Sequence, residues 1–225
     1  TGILDYRSQG YLWRAMINFM GLLGWNPKND QELFGSDDPE SLWDELFEKF
    51  DLNQVNKAPA VFDLEKLNYF NRHYLQLTPA ADIIDVLDQE TLAKIPQDRK
   101  LKAVELAKDR MTVLSDFKEK VSFLIDEPIL DKNLIVFRKS DAATTKKALE
   151  LVTKSLLELS AWEKDAIKAE LEKIFAQNNL SPGDVFWPVR YSLSGLEKSP
   201  PPEEIAEVLG KEQTLSRISK AVELL

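Results

Sequence analysis

Apolar residues recur at three- and four-residue intervals along most of the chain, and no segment alternates with period two for long. That pattern predicts an all-α protein. Leu12, Ala15, Met16, Phe19, Met20 and Leu23 predict a helix over 8–23, closed by Gly24 and Pro27, with Trp25 folding back on it. Leu42, Trp43, Leu46, Phe47 and Phe50 predict a buried stripe on a helix over 38–50 whose other face is acidic. Asp63 reads as the N-cap of a third helix ending near Asn71, entered through 59–62, with Phe62 stapled to Leu67. Thr78 and Pro79 open a fourth, carrying Ile83, Ile84 and Leu87. Asp98 opens a fifth with Leu101, Val104 and Ala107, which breaks near 110–112. Thr112 then caps a helix with Val113, Phe117, Val121 and Leu124 inward.

The pattern weakens over 127–139, which reads as a connector and a domain boundary. Leu149, Val152, Leu156 and Leu159 predict a long helix over 140–159, and Ser160 with Glu163 reads as a capping box for the next, running to Gln177 with Ile167, Leu171 and Ile174 inward. Ser181, Pro182 and Asp184 write another helix start. Pro188 is expected to kink that helix before Gly195 ends it. The run Pro200–Pro202 opens a helix with Glu203 and Glu204 in its first turn, where acids suit the helix dipole, and Gly210 is read as its αL cap. A final helix over 213–224 is expected to bury Leu215, Ile218 and Val222.

Composition narrows the chemistry. The 225 residues include no cysteine and one histidine, His73, which excludes disulfides and thiolate sites and argues against a histidine-rich metal site. His73 is read as a surface or half-buried residue, and the acidic run 37–48 as a solvated helix face. No Gly-x-Gly-x-x-Gly or P-loop is present, no apolar run is long enough to span a bilayer, and the N-terminus does not read as a signal peptide. The formal net charge of −9 argues against non-specific nucleic-acid binding, so any such role must rest on local arginines.

Four segments carry a likeness: 6–25 (YRSQGYLWRAMINFMGLLGW), 58–75 (APAVFDLEKLNYFNRHYL), 188–195 (PVRYSLSG) and 207–222 (EVLGKEQTLSRISKAV). In this order the chain resembles the C-terminal half of bacterial-type glutamyl-tRNA synthetase, a class I aminoacyl-tRNA synthetase. The class I signatures of the HIGH and KMSKR type are absent from it. The resemblance implies elongated helical bundles: a stem-contact domain over 1–75 and anticodon-binding subdomains over 76–128 and 129–225. It implies a part that reads tRNA(Glu) for an ATP- and Mg²⁺-dependent ligase whose catalytic domain lies elsewhere, with no catalytic residue and no cofactor of its own here. The implied partners are tRNA(Glu) and that catalytic domain, with no DNA or membrane partner; the implied state is a cytoplasmic monomer.

Carried over by position, the resemblance assigns Arg110 to the third anticodon base. A guanidinium offers donors in a fixed fork, which suits the acceptors of cytosine and leaves the donors of guanine unpaired, at about 1–3 kcal/mol for each buried group. That separates glutamate anticodons, ending in C, from glutamine anticodons, ending in G. Arg190 is assigned to the first two anticodon nucleotides, Ser199, Pro200 and Pro202 to the loop packing against those bases, and Lys173 to phosphate. Tyr6, Arg7 and Arg14 are expected at the tRNA inner corner or the catalytic core. Phe186 and Trp187 are candidate stacking faces, at least one of them better read as core. Two departures stand out: Asn71-Arg72 replaces the family's Asn-Gly, and Tyr191 replaces a small residue. Plainer roles stay open: Arg110 as a helix C-cap, Arg190 paired with an acid such as Asp184, Tyr6 in the core. The rival for the whole chain is an all-helical protein-interaction module without RNA binding.

Overall fold

The computed structural model describes residues 2–27, 31–55 and 60–225. Among them there are helices and no strands, as the pattern predicts. Two compact units divide at Lys120 and Val121.

The first unit, Thr1–Lys120, carries α1 (Ile3–Gln9), α2 (Trp13–Leu22), α3 (Leu42–Lys49), α4 (Leu64–Leu77), α5 (Ala80–Ile83), α6 (Gln89–Ala93), α7 (Lys100–Lys108) and α8 (Phe117–Lys120). The single helix expected over 8–23 is two helices. Gly10 stands between them at φ 88°, and a Cβ there would lie 2.7 Å from both Leu114 Cβ and Leu114 N. Only glycine tolerates that conformation and that approach.

Helix α4 does not stop near Asn71 but continues to Leu77. Arginine at 72 keeps the helical backbone that glycine would loosen, and Tyr74 and Leu75 beyond it are fully buried. Asn71 itself is buried: its Oδ1 accepts from Leu12 N at 2.8 Å and its Nδ2 donates to Thr112 O at 2.5 Å. The packing of α2 on α4 is tied at a second place. Asn18 bridges Phe34 N and Glu32 O, both at 2.8 Å, and the Tyr74 hydroxyl sits 2.7 Å from Asn18 Oδ1. Burial raises the Tyr74 pKa well above the tyrosine range, so the phenol stays a donor.

The stripe expected on 38–50 is half right. A short 3₁₀ turn over Pro39–Ser41 precedes α3, which buries Leu42 and Leu46. Trp43, Phe47 and Phe50 are exposed, Phe47 by 75%. Trp43 instead stacks on Trp13 and Phe47 at centroid distances of 6.4 and 5.6 Å. Phe50 keeps one edge on the core, its ring 5.2 Å from that of buried Trp25, which lies 6.0 Å from buried Phe34. Leu101, expected inward on α7, is exposed as well, while Val104 and Ala107 are buried. Pro59, part of the expected lead into α4, lies outside the described residues.

The second unit, Val121–Leu225, carries α9 (Ser122–Ile125), α10 (Lys132–Ile135), α11 (Ala142–Glu158), α12 (Lys164–Gln177), α13 (Pro182–Ser194), α14 (Pro202–Leu209) and α15 (Lys211–Leu224). Helix α11 packs on α13 and α15, and α12 on α14. Leu149, Val152, Leu156, Ile167, Leu171 and Ile218 are fully buried between them. The segment 121–126, placed before the boundary by the sequence, belongs to this unit, because Arg217 of α15 donates to Phe123 O at 2.6 Å and Asp126 O at 3.0 Å.

Several helix ends differ from expectation. Helix α11 begins at Ala142 rather than Ser140, capped by Asp141 through Thr144 N at 2.8 Å. Helix α12 starts at Lys164 with Glu163 as its cap residue and no side-chain cap bond, so the expected box at Ser160 does not form. The box at Ser181 does form: Asp184 Oδ2 accepts from Ser181 N at 2.8 Å, and Ser181 Oγ accepts from Asp184 N at 3.3 Å. Helix α13 is assigned continuously through Pro188 and ends at Gly195, φ 67°. Gly210 has φ 79° but ψ 165°, so it is not an αL cap; it turns the chain straight into α15 at Lys211.

Candidate nucleic-acid interface

Helix α13 places Trp187, Arg190 and Tyr191 on one face by i, i+3 and i+4 spacing. Trp187 Nε1 donates to Leu134 O at 2.8 Å. Its ring lies 8° from the plane of Tyr191 at a centroid distance of 6.4 Å. Tyr191, in place of a small residue, is buried, and its hydroxyl accepts from Asp131 N at 3.3 Å. The Arg190 guanidinium lies over the Trp187 ring, 4.9 Å from its centroid, and Nη2 donates to Glu197 O at 2.9 Å. Burial pushes its pKa below the ordinary arginine value. Among the described residues no carboxylate pairs with Arg190. Asp184, the candidate partner, is buried in its own capping box instead.

The turn after α13 is fastened to the same helix. Ser194 Oγ donates to Arg190 O at 2.9 Å and lies 3.1 Å from Ser199 Oγ. Arg190, Ser199, Pro200 and Pro202 therefore form one neighbourhood. Pro200 and Pro202 are buried, leaving Ser199 and Pro201 part-exposed. The polar contacts of Lys173 lie elsewhere. It lies along α12 in a shallow groove against α11, with Glu170 oxygens 3.1 and 3.3 Å from Nζ. Phe186 packs on Phe175, centroids 6.1 Å apart, and like Trp187 is half-buried.

In the first unit Arg110 stands just past α7. Its backbone N–H reaches Ala107 O at 2.8 Å, and Nη1 donates to Leu106 O at 3.0 Å. It thus serves the last carbonyls of α7 while its residue remains exposed. Tyr6 packs against Tyr11 and Phe62, centroids 5.3 and 5.4 Å away, at the edge of the core. Arg14 pairs with Glu40 and covers the Trp13 ring at 4.6 Å. Arg7 is exposed and lines an apolar cleft of about 870 Å³ with Ile3, Tyr11, Met16 and Leu114. His73 is half-buried, its ring 5.6 Å from that of Tyr74.

Two contributors escaped the sequence reading. Glu197 acts through its main-chain oxygen, which no side-chain pattern reveals. Arg217 is 5% exposed and gives its donors to three carbonyls, of Phe123, Asp126 and Leu193, the last at 2.5 Å. A cation on the buried face of α15 could be noticed only as a break in the apolar stripe between Thr214 and Ile218.

Among the described residues no group of three or more His, Cys, Asp or Glu side chains could hold a metal ion. No helix there is long and apolar enough to cross a membrane.

Comparison with known proteins places this geometry. A glutamate–tRNA ligase of Clostridium botulinum is 32% identical over 228 residues, covering 98% of this chain and 45% of that protein. One from Flavobacterium johnsoniae is 33% identical over 227 residues and is matched over 43% of its length. The chain thus spans less than half the length of these relatives, in their C-terminal part. The crystal structure of a glutamate tRNA ligase from Elizabethkingia meningosepticum superposes with a TM-score of 0.81 at 33% identity, over 97% of this chain and 42% of that one. The family described as "Anticodon binding domain" matches residues 67–222, which include Arg110, Lys173, Arg190 and the turn at Ser199. The chain belongs to the anticodon binding domain family, in the form that glutamate–tRNA ligases carry.

Proposed function

We propose that this chain reads the anticodon of tRNA(Glu) and positions that tRNA for ATP-dependent glutamylation, with the chemistry supplied by a catalytic domain outside it. The observation that carries the reading is Arg190: a half-buried cation without a carboxylate partner, held over the Trp187 ring beside a turn that presents Ser199 and Pro201. Proteins read RNA sequence mainly on unstacked bases, through stacking and through donors aimed at base edges. A layered guanidinium beside a rigid proline turn suits the first two anticodon nucleotides. Arg110, exposed at the end of α7, suits the third, where cytosine accepts from the guanidinium fork and guanine does not. Lys173 contributes to a phosphate contact by exchanging its Glu170 partner.

The finer assignments belong to the same proposal. Residues 1–75 are a stem-contact part, 76–120 the first anticodon-binding part and 121–225 the second, the expected boundary at 128 moving because residues 121–126 pack with the second unit. Tyr6, Arg7 and Arg14 lie towards the tRNA inner corner, with Tyr6 and Arg14 acting through the surface they shape because their own contacts are intramolecular. ATP and Mg²⁺ serve the ligase as a whole. The acidic residues described here do not form a metal site, so no step through the ion is assigned to this chain. Its setting is the cytoplasm and its working state a monomer.

The test is a binding titration of the chain with tRNA(Glu) and with transcripts changed at each anticodon position, at fixed salt. Anticodon changes are expected to weaken binding by about 1–3 kcal/mol per base. Equal binding of all transcripts, or none of any, would leave the rival interaction module standing.

A further inference from the structure

Helix α3 turns two kinds of side chain outward. Trp43 and Phe47, one turn apart, continue a stack that Trp13 of α2 begins. Successive rings lie 6.4 and 5.6 Å apart, each pair inclined by 21°. Trp13 is 48% exposed, Trp43 43% and Phe47 75%, so the stack is a surface feature. Beside it run Glu40, Asp44 and Glu48, spaced i, i+4 and i+8 and all exposed. Residues 37–48 hold six acids and no lysine or arginine. Two of these acids serve the local fold: Asp38 Oδ1 accepts from Glu40 N at 3.1 Å, and Glu45 Oε1 accepts from Gly35 N at 3.2 Å and Ser41 Oγ at 2.9 Å. Glu40 pairs with Arg14. Among the described residues no cation pairs with Asp44 or Glu48.

The molecule holds one filled example of what such a face accepts. The Arg14 guanidinium lies over the Trp13 ring, 4.6 Å from its centroid, and is ion-paired with Glu40. The parts of that arrangement recur along α3. Glu40 stands three residues before Trp43, and Asp44 three before Phe47, a spacing that makes neighbours on a helix. The first acid has its cation; the second does not, and Glu48 follows one turn later. We infer that this face docks an arginine-bearing basic segment of another protein. A guanidinium of that segment extends the stack at Phe47 and pairs with Asp44, and a further cation meets Glu48. Charge decides the class of partner. Phosphates are repelled by these carboxylates, which excludes RNA, and a purely apolar partner would bury Asp44 and Glu48 unpaired. Arginine suits the face better than lysine: its planar, weakly hydrated head layers on a ring while its edge donates to a carboxylate. The inference does not rest on the anticodon reading proposed above, which uses Arg110 and Arg190.

The experiment follows the indole N–H resonances of Trp13 and Trp43 in the full chain. The probe is a disordered peptide in which arginine alternates with glycine and serine; two further peptides carry lysine or glutamate in place of arginine. The arginine peptide should shift the Trp43 indole saturably, the lysine peptide should bind about fivefold more weakly, and the glutamate peptide should not bind. Phe47→Ser should weaken the arginine peptide about fivefold, and Asp44→Asn with Glu48→Gln by about the same factor. Phe47→Tyr keeps a ring and should retain affinity, which separates loss of the ring from loss of the fold. The net charge of −9 attracts any cationic peptide, so the control removes two exposed acids of the second unit, Glu150→Gln with Asp165→Asn. It should change affinity by less than about twofold. A peptide that leaves Trp43 unmoved would overturn the inference outright. Equal weakening by the control pair would make the attraction diffuse and overturn it as well. So would a Trp43 shift with tRNA(Glu) and not with the peptide, which would make this an RNA surface, or a Trp43 resonance that moves on dilution of the chain alone, which would assign the face to a second copy.

Discussion

In the first unit Arg110 stands exposed beyond α7, and the one bond drawn above for its guanidinium, to Leu106 O at 3.0 Å, reaches back along its own helix. In the second unit Arg190 lies half-buried across an indole, with its far end on the carbonyl of another segment, Glu197. On the proposed reading, the first side chain exchanges a local cap for a base, whereas the second keeps its ring and carbonyl contacts in the RNA-free chain. The interiors differ as well. The first unit fastens its helices with neutral groups, Asn18, Asn71 and Tyr74, and with a buried lysine, Lys108, whose Nζ donates to Thr78 O at 3.0 Å. The second fastens long helices with one buried cation, Arg217.

The largest effect should come from breaking the cation. Arg217→Met removes donors from three carbonyls in the second unit and leaves them dry, a loss of about 3–5 kcal/mol by analogy with other stripped buried charges. Urea unfolding followed through amides of α11, α13 and α15 would show it, and an unchanged midpoint there would mean water replaces the guanidinium. The matching change in the first unit, Asn71→Ala, strands Leu12 N and Thr112 O and should cost about 2–3 kcal/mol. That loss should appear in α2 and α4 amides, and its absence would show that the amide clamp is decorative.

For recognition the comparison predicts unequal roles. Arg190→Ala should weaken tRNA(Glu) binding about tenfold or more, the scale of one good charged base contact. Arg110→Ala should change overall affinity less but shrink preference for C over G at the third anticodon base about fivefold. Competition binding with transcripts differing only at that base would test the second statement. A C/G ratio untouched by Arg110→Ala would confine that residue to capping α7.

How far the chain could be read beforehand follows the same physics. Periodicity located the long helices because their buried stripes are continuous: Leu149, Val152 and Leu156 on α11 are all fully buried. It failed on α3, because a helix three turns or shorter can expose Trp43 and Phe47 to each other and leave the core to loop residues such as Phe34. The end of α4 was misplaced because Asn71 reads as a turn residue, whereas here its amide closes buried bonds from the middle of a helix. Arg190 was visible in the motif 188–195, but what holds it was not. A main-chain oxygen at Glu197 and a ring three residues upstream act through geometry that composition does not encode.

The smallest effect sharpens the contrast between two acids that begin neighbouring helices. Asp184 opens α13. Burial raises its pKa, but hydrogen bonds from the Ser140 and Ser181 side chains and the Ser181 backbone outweigh that, and the net shift is downward. Its folded pKa lies below the unfolded one, so its contribution is present at neutral pH and fades as pH falls through the carboxylate range. Glu203, in the first turn of α14, is 9% exposed with Oε2 lacking a partner, and desolvation raises its pKa. The sign reverses: its contribution is complete below the unfolded glutamate range and is lost as pH climbs through the raised folded value. At neutral pH Glu203 therefore carries a net desolvation cost, offset in part by its own backbone N–H and by Lys168 and increased by Glu204 and Glu172. Glu203→Gln should raise the melting midpoint by about 1–3 °C at pH 7, with no gain at pH 4, while Asp184→Asn should lower the midpoint at pH 7 and matter less in acid. Thermal melts of both variants at the two pH values decide it. A Glu203→Gln protein that melts lower at pH 7 than the parent would mean the carboxylate, desolvated as it is, has found a partner in solution.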